Sequence, residues 1–285
     1  MDDNRIKNAM TVDVEDYFQV SAFEPYIKKS DWGKQDCRVE RNTHRLLDLY
    51  DQYKVKATFF TLAWVAERYP ALVKRIVSEG HELASHGYDH VRVINQSPDM
   101  FRSDVIKSKQ ILEDISSVEI KGYRAPSYSI MNSNLWALDI LHETGHKYSS
   151  SIYPVKHDLY GIPDAPRFKY YPRGDEGILE IPITTLKLFN KNFPVGGGGF
   201  FRLYPYAFSR WALNRVNTTD EQPGMFYFHP WEIDPDQPKT PGIDAKTKFR
   251  HYLNLEKFYD RLEQLLNDFS WDRMDKIFLG DGAKS

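Results

Sequence analysis

The sequence predicts an α/β protein whose parallel strands curl into an irregular barrel of about seven strands. Three observations lead there. Short β-branched or aromatic runs alternate with stretches of helical period along most of the 285 residues. Seven or so such runs occur with helices between them, which favours a closed barrel over an open doubly wound sheet. Helix punctuation supports the register, because Ser97-Pro98 reads as N-cap and N1, and Gly80 and Gly145 read as residues just past a helix C-terminus.

The elements follow in order. "AMTVDV" precedes the helical "THRLLDLYDQY", "ATFFTL" precedes "VAERYPALVKRIVSEG", and "HELAS" precedes "SPDMFRSDVIKSKQILEDI". "GYRAP" then leads into "SNLWALDILHETG", and "ILEIPITTL" into "YAFSRWALNRVN". "GMFYFHP" is followed by "YLNLEKFYDRLEQLLNDF", and "KIFLG" reads as a last strand. The Pro-rich stretch 230–242 reads as a long loop, either a wall over a site or a surface excursion. "VGGGGF" at 195–200 lacks the Lys-Ser/Thr of a phosphate loop and the spacing of a dinucleotide fingerprint. Its glycines predict close backbone approach or a mobile loop.

Composition sets outer limits. With 41% hydrophobic and 14% aromatic residues the chain can bury a sizeable core, and a single unit over 1–285 is expected, with an extension from about 231 packed on the barrel. A formal net charge of -2 argues against a global attraction to nucleic acid or anionic membrane. Cys37 is the lone cysteine, so no internal disulfide framework exists. The acidic N-terminus lacks a secretory apolar run, and no stretch of about 18 apolar residues occurs, so a cytoplasmic protein without membrane insertion is expected.

Two histidine pairs stand four apart, His86/His90 and His142/His146. "HETGH" matches the zinc protease pattern, which requires one continuous helix through both histidines. Gly145 falls between them where the helix should end, and no third ligand follows at the expected spacing, so a capped helix terminus is the better reading. His86 and His90 instead lie at the C-terminal end of a predicted strand, where parallel β/α folds assemble their sites. At another strand end, "TVDVEDYF" places Asp13, Glu15 and Asp16. Core packing does not explain three such carboxylates, whereas a cation does. Period 2 puts Asp13 and Glu15 on one side, so that one can bind metal while the other takes a proton. Two histidines and one carboxylate leave coordination positions open, as catalytic sites do.

Two more strand ends complete the set. "GYRAPSYS" offers Arg124, able to hold a neighbouring carboxylate ionised, and "MFYFHPW" offers His229 as a general acid. A structural ion pair and a core histidine are the plainer readings of each alone. Four strand ends carrying D-x-E, H-x3-H, R-x-P and F-H in order make coincidence a poor account.

These motifs resemble the polysaccharide deacetylases of carbohydrate esterase family 4, the NodB-homology domain, over residues 11 to about 230. "GGGGFFRLYPYAFSRWALNRVN" and "FYFHPWEIDPDQP" resemble the subgroup found in bacterial exopolysaccharide loci. The resemblance implies a distorted TIM barrel of about seven strands. It implies that His86 and His90 bind one divalent ion, commonly zinc with cobalt or nickel as alternatives, and that Asp13 is the general base. It further implies that Arg124 orients Asp13 and His229 protonates the leaving amine. Val14 separates Asp13 from the next carboxylate, and strand alternation selects Glu15 as the third ligand with Asp16 as the fallback. The pair reads H-G-Y-D-H, without a hydroxyl residue after the first histidine. Ser149 stands where related chains often carry an aspartate, which leaves open what orients His229.

The expected function is metal-dependent removal of N-acetyl groups from amino sugars of a bacterial exopolysaccharide or its lipid-linked precursor, with an N-acetylated glycan as partner. A backbone N–H near Ser127 or Tyr128 would hold the oxyanion, and Tyr128, Tyr153, Phe201 and Trp231 are candidates to stack on sugars, Tyr128 and Trp231 foremost. The alternatives are a catalytically impaired glycan-binding or assembly protein, which Ser149 favours, and a small-molecule amide or imide hydrolase.

Overall fold

The structure is a computed structural model that describes residues 6–157 and 160–280, so both ends of the expected 1–285 unit lie outside the described residues. In chain order, β1 (Lys7–Val14) leads to α1 (Val39–Tyr53), then β2 (Thr58–Thr61), α2 (Ala63–Arg68), α3 (Pro70–Ser78) and β3 (Glu82–Ser85). Next come α4 (Pro98–Ser116), β4 (Gly122–Tyr123), α5 (Trp136–Glu143), β5 (Tyr148–Ser149) and β6 (Leu179–Glu180). The hairpin β7 (Thr185–Leu188) and β8 (Lys191–Pro194) precedes α6 (Gly198–Leu203), α7 (Tyr206–Thr218) and β9 (Met225–Phe228). Two helices, α8 (Ala245–Tyr252) and α9 (Leu255–Asp268), and β10 (Ser270–Asp272) close the chain.

The main sheet runs β10-β1-β2-β3-β4-β5-β6 with β9 on the other edge of β1, and every pairing in it is parallel. It curls until β6 and β9 nearly meet. The seam is spanned by Thr184 and Gly196: Met225 N donates to Thr184 Oγ1, Gly196 N to Thr184 O, and Tyr227 N to Gly196 O. A Cβ on Gly196 would lie 2.7 Å from Met225 O, and one on Gly197 would lie 2.6 Å from the Tyr227 ring. The glycine run therefore serves close backbone approach.

Strand alternation divides β1. Met10, Val12 and Val14 pack outward against Leu46 and Tyr50 of α1 and Phe258 and Leu262 of α9. Thr11 and Asp13 face the barrel interior, where Arg124 meets both. Ser97 caps α4 by accepting from Met100 N, with Pro98 at N1, as the sequence predicts. Gly80 and Gly145 take φ of +82° and +84° past the ends of α3 and α5.

Four expectations about elements need correction. "VAERYPALVKRIVSEG" is two helices, because Pro70 cannot continue the first and instead starts the second. "ILEIPITTL" divides between barrel strand β6 and hairpin strand β7. "KIFLG" is a π-helical turn, and the last strand is β10, which pairs with the first residues of β1. The 230–242 segment is no simple surface excursion. Residues Pro230–Ile233 form a buried turn, and buried Asp234 accepts from Arg41 and Asn42 of α1.

Candidate metal centre and active site

The site lies at the C-terminal ends of β1, β3, β4 and β9. After β3 the chain turns through Gly87, at φ +76°, and His90, at φ +60°. The glycine position that lacks a hydroxyl residue thus needs the left-handed region, which a serine adopts only at a cost. This turn brings both imidazoles toward β1. Glu15 Oε2 lies 2.8 Å from His90 Nε2 and 3.9 Å from His86 Nε2, and ligand atoms from all three residues fall within 4.8 Å of one another.

Four features fit a cation there. His86 Nδ1–H donates to Arg124 O at 2.8 Å, which leaves the Nε2 lone pair facing Glu15. Burial holds the His86 imidazole at a pKa of about 4, so the ring is neutral at pH 7, as a ligand must be. Glu15 Oε2 is buried yet makes no hydrogen bond, despite its approach to His90. Burial would raise the Glu15 pKa, but His90, His229 and His86 together hold it near 2, so the carboxylate is charged. Two imidazole nitrogens and one carboxylate oxygen suit zinc, cobalt or nickel.

Asp16 is engaged otherwise. Its Oδ1 accepts from Tyr17 N, and its Oδ2 accepts from Arg38 N and Val39 N, so it caps the turn after β1 and ties down the start of α1. Helix capping explains the third carboxylate that core packing could not.

Asp13 stands beside the triad in a fixed pose. Arg124, fully buried, donates NH1 to Asp13 Oδ1 at 2.5 Å and to Thr11 Oγ1 at 2.9 Å. Its other nitrogens reach Ser150 O and Oγ, and its guanidinium lies 3.9 Å over the Phe60 ring. Tyr128 OH approaches Asp13 Oδ2 at 3.5 Å. His229 faces the triad from β9, with Nε2 3.5 Å from Glu15 Oε1. Its side chain keeps 20% exposure, against 2–4% for Glu15, His86 and His90, so His229 stands on the solvent side.

The group that holds His229 is Glu232. Glu232 Oε1 accepts from His229 Nδ1 at 2.9 Å and from His229 N at 3.1 Å, and Oε2 accepts from Arg202 Nε at 2.8 Å. Burial disfavours a charged His229, but the bond to Glu232 and the charges of Glu15, Glu232 and Asp13 outweigh it and lift its pKa to about 9. A Cβ on Gly198 would lie 2.3 Å from Glu232 Oε1, so that glycine makes room for the carboxylate. Sequence reasoning missed Glu232 and Arg202. The available signal was H-P-W-E, a capping-box spacing with Pro at N1. Ser149 turns away and donates to Ser151 Oγ, which in turn accepts from Ala125 N.

Two expectations about substrate contacts change. Trp231 and Tyr128 are each 5% exposed: the Trp231 ring stacks on His229 and His251, and the Tyr128 ring packs among Tyr153, Tyr160 and Tyr227, so neither presents an open face to a sugar. Tyr153 and Phe201 are buried core residues. Tyr128 N–H is spent on Ala125 O, so it is no oxyanion donor. Ser127 and Tyr128 both hold positive φ, a costly pair of conformations at the site's edge. His146 lies beyond the end of α5, buried against Thr144, and the protease pattern is a helix terminus.

Comparison with known proteins bears on the family and the fold. Residues 31–149 match the family model described as "Polysaccharide deacetylase", and residues 150–279 match one described as a domain of unknown function (DUF3473). A peptidoglycan-N-acetylglucosamine deacetylase of Bacillus cereus is 38% identical over 98 residues, 34% of this chain and 36% of that protein. A peptidoglycan deacetylase of Helicobacter pylori is 31% identical over 108 residues, 38% of this chain and 36% of that protein. The chain thus spans about a third of the length of these relatives. The crystal structure of a candidate polysaccharide deacetylase from Mycobacterium smegmatis superposes with a TM-score of 0.62 at 19% identity, covering 97% of this chain and 90% of that one, which shows a shared fold. Residues 31–149, which hold β3 and its two histidines, thus form a polysaccharide deacetylase domain of the carbohydrate esterase family 4, NodB-homology type.

Proposed function

We propose that the protein is a metal-dependent N-deacetylase acting on N-acetylated amino sugars of a bacterial exopolysaccharide or its lipid-linked precursor. One observation carries this reading: Asp13 held by Arg124 and His229 held by Glu232 flank the Glu15/His86/His90 triad. A divalent ion, zinc or else cobalt or nickel, held by that triad would supply Lewis acidity to the amide carbonyl and to water. Asp13, with Oδ1 fixed by Arg124, accepts the water proton at Oδ2. His229, fixed through Nδ1, delivers a proton from Nε2 to the departing nitrogen as the C–N bond breaks and acetate leaves. Glu232 supplies the orienting carboxylate that Ser149 cannot, which removes the feature favouring an impaired protein. The exopolysaccharide assignment rests on the resemblance of the 196–217 and 226–238 stretches to that subgroup.

The test is acetate release from N-acetylglucosamine oligomers by protein loaded with each of the three metals. Asp13→Asn should lose about 10²- to 10⁴-fold in rate while elemental analysis finds the metal still bound. Unchanged release in that variant removes Asp13 from its role, and no release by any loaded wild-type form overturns the reading.

A further inference from the structure

The chain's charge is nearly balanced in total but not along its length. From Ile181 to Thr219 it carries Lys187, Lys191, Arg202, Arg210 and Arg215 and not one carboxylate, alongside eight aromatic residues. Arg202 is buried against Glu232, and Arg210 pairs with Asp268. Lys187 and Lys191 are exposed on the two strands of the β7–β8 hairpin, either side of its tip.

That tip is Phe189-Asn190. Phe189 is 93% exposed and sits at φ +48°, followed by Asn190 at +59°. A two-residue turn with both φ positive prefers Asn and Gly, and a bulky side chain there is unfavourable. The ring therefore incurs strain with almost no burial inside the fold to offset it. Beside the hairpin a belt of rings continues over α6 and α7: Phe200 meets Tyr204, Tyr204 meets Phe208, and Phe208 meets Trp211, at centroid distances of 4.9 to 6.0 Å. Phe208 packs on Leu186 and Val195 of the hairpin base, while Leu203 and Trp211 are nearly half exposed.

We propose that this hairpin and aromatic belt dock the protein on the surface of an anionic lipid bilayer, with Phe189 entering the headgroup region and Lys187 and Lys191 facing lipid phosphates. Exposed apolar rings, flanking lysines and missing carboxylates are the chemistry of an interfacial anchor. A second copy meeting this one through the same face would set like charges against each other, whereas lipid phosphates complement them. Among the described residues no helix is long and apolar enough to cross a membrane. The hairpin is tied to the site's surroundings, since Asn192 Nδ2 donates to Pro154 O in the segment whose Tyr153 and Tyr160 pack around Tyr128. Docking would thus hold the catalytic end of the barrel near the membrane plane.

Co-sedimentation of the full chain with phosphatidylcholine vesicles, with and without phosphatidylglycerol, tests this without depending on turnover. The protein should pellet with the anionic vesicles, less so as salt rises, and Phe189→Ser and the pair Lys187→Glu/Lys191→Glu should each weaken binding about tenfold. Phe189→Ser should release acetate from soluble oligomers at the wild-type rate, showing an intact fold. Wild-type protein staying in solution, equal pelleting with neutral vesicles, or variants that pellet like wild type would each overturn the proposal. So would a monomer–dimer change in lipid-free Phe189→Ser, which would assign the patch to a second copy.

Discussion

His229 and Glu232 lie three residues apart in sequence and are joined twice, through Nδ1 and through the backbone N–H, to one carboxylate oxygen. The imidazole is therefore fixed in tautomer and in angle by its own chain, while Arg202 holds the second oxygen. The acid and its support form one short buried turn.

Glu232→Gln should lower kcat about 10- to 100-fold with little change in KM. The bond to Glu232 and its charge raise the His229 pKa above the ordinary imidazole value. Loss of that negative charge lowers the pKa, so the alkaline limb of the rate profile should move to lower pH. A pH–rate profile checks the shift, and an unmoved limb would separate Glu232 from the acid. Circular dichroism is needed beside it, because Arg202 is left buried without its partner.

Gly198→Ala should reproduce much of that loss. Its Cβ meets Glu232 Oε1 at 2.3 Å, whereas a Cβ on Gly199 has nothing within 4 Å. Acetate-release rates of the two variants, measured side by side, should therefore differ. Equal rates would show that Glu232 can shift freely.

Glu15 and Asp16 are adjacent but should separate cleanly. Glu15→Ala should abolish stoichiometric metal binding and the rise in Tm on adding zinc, since a ligand stabilises only what it binds. Asp16→Ala should retain metal and lose stability on the order of 1–2 kcal/mol, because three backbone N–H groups lose their acceptor. Elemental analysis with thermal melts distinguishes the two.

Glu82 is buried at the start of β3, accepting from Thr58 Oγ1, Asp275 N and Tyr148 OH. Burial, with the nearby Asp275 charge, raises its pKa to about 7 against 4.5 for an ordinary glutamate. The folded protein thus holds a proton that the unfolded chain releases, and stability should fall as pH rises from about 4.5 through 7. Glu82→Gln can keep the three contacts, with its amide donating to Tyr148 and its carbonyl accepting the others. It should melt like wild type at pH 4.5 and be more stable at pH 8, on the order of 2–3 kcal/mol. A pH-independent difference between the two proteins would contradict this.

Much of the centre was legible because parallel strands present their chemistry at one end. Asp13 and Glu15, His86 and His90, Arg124 and His229 each lie at or just past the C-terminal end of a strand. What the sequence hid depends on contacts distant along the chain. Nothing in "ILEIPITTL" says where the barrel lets go of the strand and the hairpin begins, since both halves are apolar. Trp231 looked like a sugar platform because exposure is not written in residue type, and its two stacking partners include His251, twenty residues away. Glu232 was readable from spacing alone, but its buried counterion, Arg202, was not.

The seam at Thr184 and Gly196 bears on how this protein can be divided. The two family models meet between 149 and 150, yet β5 at that junction pairs on both sides within one continuous sheet. One stretch contributes the histidine pair, the other His229 and Glu232, while Asp13 and Glu15 precede both. A cut at residue 149 would leave each fragment with a raw strand edge and a fraction of the chemistry, so exchanging halves between homologues should yield insoluble chimaeras unless the N-terminal strand and the partner across the seam travel together.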